Sequence, residues 1–377
     1  MDFGWADEDT QLHDRALRFA RENLDSPEST HTLSRELWRR CGEFGFLGLS
    51  APTSHGGLGL GALGTAHVLE ALGRGCPDMG FVFSVCAHLL ACVMPIVEAG
   101  SDAQHDRFLR KLVNGDWVGA NAITEAEAGS DAFALKTRAV RDGSDYVLDG
   151  VKSYVTNGPA ADVFLVYATT NPSHGYMGIT AFVVERGTPG LTVGKPFEKI
   201  GLHSAPMSQI YLEACRVPES SRLGDEGAGA ATFKGSMAWE RACLFAAYVG
   251  SMDRQLEQTV LFAKSRRQFG RPIGKQQAVS HRIAGMSERL EASRLLLYRA
   301  CWMKDRGQDA TSAIALAKLA VSEAAVQSSL DAIQVHGGLG VTVEGRVEQA
   351  LRDAVPSTLF SGTSEIQREI VARGLGL

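Results

Sequence analysis

An α+β fold in three parts is what the sequence predicts, on three observations. Apolar residues recur at three- and four-residue steps through residues 1–117, short β-rich runs replace them across 118–226, and long helical periodicities return over 227–377. With 377 residues the chain exceeds the roughly 250–300 that one hydrophobic core sustains, so two or three packed units are expected.

The first part opens on the stripe Leu12, Ala16, Phe19 and Leu24, and Leu33, Leu37, Trp38 and Cys41 continue in the same style. Gly59–Gly64 matches GxGxxG, with Phe46–Ser50 as a possible preceding strand. A dinucleotide fold also needs a second parallel strand after the helix, and Phe81–Cys92 supplies none, so a plain loop is expected. Phe81–Val97, the most apolar stretch, contains His88 and Pro95 and reads as too short for a membrane span. In the second part the strand candidates are Thr137–Val140, Tyr146–Leu148, Val163–Thr170, Ile179–Val184 and Gln209–Leu212. Asp142-Gly143 and Asp149-Gly150 supply turn chemistry between them. After Pro218 and the glycine-rich 224–229 linker come three long helical patterns, Phe233–Gln268, Ala278–Lys304 and Thr311–Val335. With a last helix over Ser364–Arg373 they suit a four-helix bundle.

An apolar fraction of 45% and a charged fraction of 21% are ordinary for a soluble enzyme. The net charge of −5 argues against a nucleic-acid binder. Seven cysteines are scattered without a CxxC pair, which fits buried thiols in a reducing compartment and no metal site. The start of the chain lacks a basic segment and apolar core, so no export signal and a cytoplasmic location are expected.

Glu240 is the residue with the sharpest chemical signal. Met237, Leu244, Tyr248, Met252, Leu256 and Val260 form one apolar stripe, and Glu240 falls on it, three after Met237 and four before Leu244. Excluding water raises a carboxylate's proton affinity, as a general base for a carbon-bound proton requires. Pairing with Arg241 or Lys234 is the plain alternative.

Other motifs speak in concert. In Ile123–Asp131, Thr124, Ser130 and the amides near Gly129 could bind a flavin ring or pyrophosphate, or form an acidic turn. In Val151–Gly158, Tyr154 and Thr156 share a strand face, suited to a stacked isoalloxazine or to sheet packing. Ser265–Gly270 ends a long helix with cations, and Gln334–Gly340 offers close backbone approach to a phosphate or simply terminates a helix.

Together the segments ITEAEAGSD, YVTNG, SRRQFGRPIGKQQ, QVHGGLG and SGTSEIQREIVAR make the whole chain resemble the acyl-CoA dehydrogenase family. The resemblance implies an N-terminal helical domain (1–117), a middle β-barrel (118–226) and a C-terminal four-helix bundle (227–377). It also implies FAD and a homotetramer. By the same resemblance Ile123, Thr124 and Ser130 contact the flavin and its phosphates, and Tyr154 and Thr156 flank the ring. Arg266, Phe269 and Gln277 hold FAD across the dimer interface, Gln334, Gly337 and Gly338 complete that clamp, and Thr363 with Glu365 sits near the adenosine. Ser361 departs from the pattern, because most of the family carries its catalytic glutamate there. A subset similar to isovaleryl-CoA dehydrogenase takes the base from the first long bundle helix, at the position of Glu240, with Arg241 and Ser361 beside the substrate.

Further resemblance, in Phe83–Cys92, Ser236–Glu240, Leu297–Trp302, Gly307–Ala310 and Leu359–Thr363, is to enzymes that oxidise prolyl groups on peptidyl carrier proteins. The expected reaction is α,β-dehydrogenation of a carrier-bound aminoacyl thioester, with electron-transfer flavoprotein or oxygen as acceptor. A short- or branched-chain acyl-CoA dehydrogenase and a catalytically silent scaffold are the alternatives. Arg254, Lys264, Arg267, Arg271 and Lys275 are candidates for attracting an acidic carrier, or form a solvated helix face.

Overall fold

The computed structural model describes residues 4–24 and 32–377; Met1–Phe3, at the start examined for an export signal, lie outside them. The helical first part comprises α1 (Asp7–Asn23), α2 (Arg35–Phe44), α3 (Ala62–Gly75) and α4 (Met79–His88). The Ser34 hydroxyl accepts from the Leu37 amide at 3.3 Å and starts α2, and Asp78 does the same for α4 from Phe81 at 3.0 Å. A π turn, Leu89–Val93, carries α4 into α5 (Met94–Ala99), and a second links α6 (Asp102–Gln104) to α7 (Arg110–Val113). The length argument made for Phe81–Val97 fails: Met79–Ala99 is one apolar run of 21 helical residues, long enough to cross a membrane. Its apolarity is explained by burial, since 89% of the most apolar window lies inside the protein. Pro95 does not end the helix; it follows closely on the π turn Leu89–Val93, a local irregularity of the kind that accommodates a proline within a helix.

The middle part is a sheet of β1 (Gly119–Ala122), β2 (Arg138–Asp142), β3 (Asp145–Thr156), β4 (Val163–Thr169), β5 (Ile179–Glu185), β6 (Leu191–Val193), β7 (Met207–Pro218) and β8 (Arg222–Leu223). Its order is β6-β7-β3-β2-β4-β5-β8, with β1 parallel to β4. Asp142-Gly143 does turn β2 into β3, but Asp149-Gly150 is no turn. It lies inside β3 at a bulge opposite β7, where a Cβ on Gly150 would stand 2.4 Å from the Thr137 hydroxyl. β4 is buried on both faces. Val163, Leu165 and Tyr167 join the core shared with the helices, whereas Phe164, Val166 and Ala168 fill the separate interior of the sheet.

The last part begins with α8 (Gly229–Cys243) and α9 (Phe245–Ser265), separated only by Leu244, whose backbone stays helical. A short hairpin, β9 (Arg267–Gln268) with β10 (Arg271–Pro272), leads to α10 (Gln277–Asp305), α11 (Thr311–His336), α12 (Val347–Ala354) and α13 (Ser364–Gly374). α9 packs on α3, α10 and α11, and α13 on α11. α3 and α9 touch backbone to backbone: a Cβ on Gly73 would come within 2.0 Å of the Ala247 carbonyl oxygen. Arg254 belongs to this joint and not to a solvated face, because it donates to the carbonyls of Gly73 (2.7 Å) and Cys76 (2.6 Å) at the end of α3.

Candidate active site

Glu240 sits on α8 where the bundle meets the sheet, 8% exposed. Met237, Leu244, Tyr248 and Met252 of its stripe are all buried. Neither cation offered as its partner pairs with it. Arg241 donates from Nε to the Ser361 carbonyl at 2.6 Å, and the Lys234 ammonium lies over the rings of Phe133 (5.7 Å) and Tyr176 (5.3 Å). The bond the carboxyl receives is from the Ser361 hydroxyl to Oε1. Burial raises the proton affinity of Glu240 above the ordinary carboxylate value, with the Ser361 hydroxyl and the Arg241 charge pulling it partly back.

An aromatic cluster adjoins the Ser361 turn. Phe360, next to Ser361, lies 4.5 Å from Phe83 of α4, 5.6 Å from Phe245 and 6.2 Å from Tyr248 between ring centroids. The following turn is tight, with φ of +56° at Ser361 and +90° at Gly362. The Gln367 amide donates to the carbonyls of both residues, at 3.3 and 3.0 Å. Thr363 spends its hydroxyl on capping α13, accepting from Ile366 at 3.3 Å, and Glu365 stands exposed in the first turn.

A second constellation lies on the sheet. Ile123 is buried, Thr124 is half-buried and Ser130 is exposed, on a loop held by Glu125. The Glu125 carboxylate accepts from the Lys152 ammonium (2.7 Å), the Thr137 hydroxyl (2.5 Å), and the amides of Thr137 (2.9 Å) and Lys136 (2.6 Å). Lys152 also donates to the Ile123 carbonyl at 3.1 Å, and the Ser153 amide to that of Thr124 at 2.8 Å. Within the bulge between Lys152 and Val155, Tyr154 adopts φ +57° and presents a largely exposed ring 5.6 Å from Phe197, and Thr156 beyond it is half-buried.

Domain models of acyl-CoA dehydrogenases match the chain over nearly its whole length: the N-terminal domain at 6–116, the middle domain at 120–215 and the C-terminal domain at 227–376. The chain belongs to the acyl-CoA dehydrogenase family. It is similar to the L-prolyl-[peptidyl-carrier protein] dehydrogenase of Pseudomonas fluorescens, 50% identical over 100% of both chains. Among solved structures, PigA with FAD and proline superposes with a TM-score of 0.98 at 47% identity over 100% of both chains. The prolyl acyl carrier protein oxidase AnaB gives 0.97 at 43% identity, over 99% of this chain and 100% of that one.

The remaining site candidates of this acyl-CoA dehydrogenase gather elsewhere, at one end of the bundle. Arg266 follows α9, Phe269 tops the β9–β10 hairpin, Gln277 starts α10, and Gln334, Gly337 and Gly338 end α11. The ring of His336 stacks on Phe262 at 4.2 Å and ties these ends together. All six are exposed, Phe269 at 93%. Among the buried charged groups given no role in the sequence reading are Glu125, Lys152 and Lys318. Lys318 follows Ile314 by four and precedes Val321 by three, so the signal that found Glu240, a charge on an apolar stripe, was present there too.

Proposed function

We propose that the protein removes hydrogen across the Cα–Cβ bond of a prolyl group held as a thioester on a carrier protein, using FAD. The observation that carries this reading is Glu240, a buried carboxylate with no ion pair among the described residues, held by the Ser361 hydroxyl beside an aromatic cluster of Phe83, Phe245, Tyr248 and Phe360. The full-length likeness to a prolyl-carrier-protein dehydrogenase supports the substrate. The same placement speaks against a silent scaffold.

The residues present suit FAD. Tyr154 and Phe269 hold large rings in water, and Thr124, Ser130 and Thr156 offer hydroxyls on the loop and strand fixed by the Glu125–Lys152 pair. When bound, FAD supplies the acceptor for the hydride that leaves the β-carbon. Glu240 takes the α-proton into its carboxylate, made more basic by the absence of water. Burial of Glu240 keeps solvent from the carboxyl. One round removes two hydrogens, and a second round takes the ring to a pyrrole.

The exposed apolar residues Phe269, Leu339, Val341 and Val343 lie at the end of the bundle, and they support a homotetramer in which Arg266, Phe269, Gln277, Gln334, Gly337 and Gly338 serve the cofactor across an interface. Seven buried, unbridged cysteines support a cytoplasmic location, with electron-transfer flavoprotein or oxygen reoxidising the flavin. Incubation with prolyl-loaded carrier protein and with an acyl-CoA panel, followed by mass spectrometry, tests the reading. Loss of two or four hydrogens from the prolyl carrier supports it; turnover confined to an acyl-CoA overturns it in favour of a conventional dehydrogenase.

A further inference from the structure

Ser361 occupies a backbone conformation that costs energy for any residue with a Cβ, at φ +56°. Glycine adopts that conformation freely, and glycine follows at 362, so the side chain at 361 needs a reason. Its surroundings give one. Consecutive residues of α8 grip Ser361 from two sides: Arg241 takes its carbonyl at 2.6 Å, and Glu240 takes its hydroxyl. Gln367, fully buried, adds a second donor to the same carbonyl at 3.3 Å. A strained turn pinned at three points persists only when its surroundings over-determine it. What the pinning delivers is one hydroxyl, aimed at Oε1 of the glutamate. Among the described residues Oε2 receives no hydrogen bond, so it is the oxygen left to accept a proton.

We propose that Ser361 is a positioning residue for Glu240, its hydroxyl clasping Oε1 so that Oε2 faces the hydrogen to be removed. This rests on the reading of Glu240 as the base. The chemistry needs no further reactant: the serine keeps its proton and only donates to the carboxylate, while the substrate's α-proton passes to Oε2. A hydrogen bond from a hydroxyl to a carboxylate favours the ionised form, so the serine also sets the pH at which the base becomes available.

Two variants separate the hydroxyl from the backbone. Ser361→Ala removes the hydroxyl and leaves the left-handed strain; Ser361→Gly removes both and is expected to melt at the native temperature or above it. In either variant the acidic limb of kcat/KM should move up by about one pH unit. Below that limb the rate should fall about tenfold. An independent readout uses flavin-free protein: the infrared band of the protonated Glu240 carboxyl, assigned by difference against Glu240→Gln, should titrate at a correspondingly higher pH in Ser361→Gly. If the band and the limb stay in place in the glycine variant, the proposal is overturned, whatever happens to the alanine variant. Flavin reduction surviving in Glu240→Gln would instead sink the assignment of the base, and the infrared titration would still decide whether the serine acts on the carboxyl.

Discussion

Glu125 and Glu240 are both buried carboxylates, one under the sheet and one in the bundle, and their partners make them opposites. Burial alone would raise the proton affinity of Glu125, but the Lys152 charge and the donors from Thr137 and Lys136 outweigh it and hold the carboxyl below its ordinary value. Glu240 receives a single hydroxyl, and burial wins, so its proton affinity rises. Satisfied on every side, the first carboxylate is a rivet that fixes the loop of Ile123 and Thr124 to the strand of Tyr154. Left short of donors, the second is more basic, as the proposed role requires. A cation and several donors at Glu125, against one hydroxyl at the more deeply desolvated Glu240, send the two proton affinities in opposite directions.

Replacing Glu240 by Gln should cut substrate-driven bleaching of the flavin about a thousandfold, or about 4 kcal/mol in barrier, while the protein stays yellow. Rapid bleaching in stopped flow would erase the contrast between the two acids. Lys152→Met attacks the other acid by leaving Glu125 charged and unpaired, which should cost about 3 kcal/mol in urea unfolding and loosen flavin retention. An unchanged midpoint would show that Glu125 is held by its neutral donors alone.

The smallest effect sharpens the comparison from the cationic side. Lys318 is fully buried and its ammonium has no hydrogen-bond partner among the described residues, lying 5.4 Å from the Phe245 ring centroid. Burial, reinforced by the charge of Arg241, pushes it down to about 8. Because this lies below the unfolded value near 10.5, the native state releases the proton first, and stability should rise as the pH climbs from about 8 toward 10. Lys318→Met should abolish that rise and match or exceed native stability at neutral pH, read by thermal melts across the range. A loss of stability in the methionine variant would show that the ammonium is compensated after all.

The three-part order was legible because the hydrophobic period switches twice, near Val118 and after Pro218, and period is a local property. Glu240 was legible for the same reason. Its bond to Ser361 was not, since 121 residues separate the two and no local pattern links them. Asp149-Gly150 misled because a bulge and a turn ask for the same residues. β1, β6 and β8, of four, three and two residues, were too short to leave a periodic trace. By the resemblance Arg266 and Gln334 serve the cofactor across a dimer interface, which a single chain does not contain; within it they lie at the far end of the bundle from Glu240. Gln334 stands sixteen residues along α11 from Lys318, about 24 Å at the helical rise.

The double-sided burial of β4 has an evolutionary consequence. Val163, Leu165 and Tyr167 interlock with helices from both ends of the polypeptide, so no third of it is a portable module. A chimera that borrows only the central segment from a relative inherits a surface cut to fit someone else's helices. New specificity in such a molecule must arise by point changes, with the shared interior left as it is.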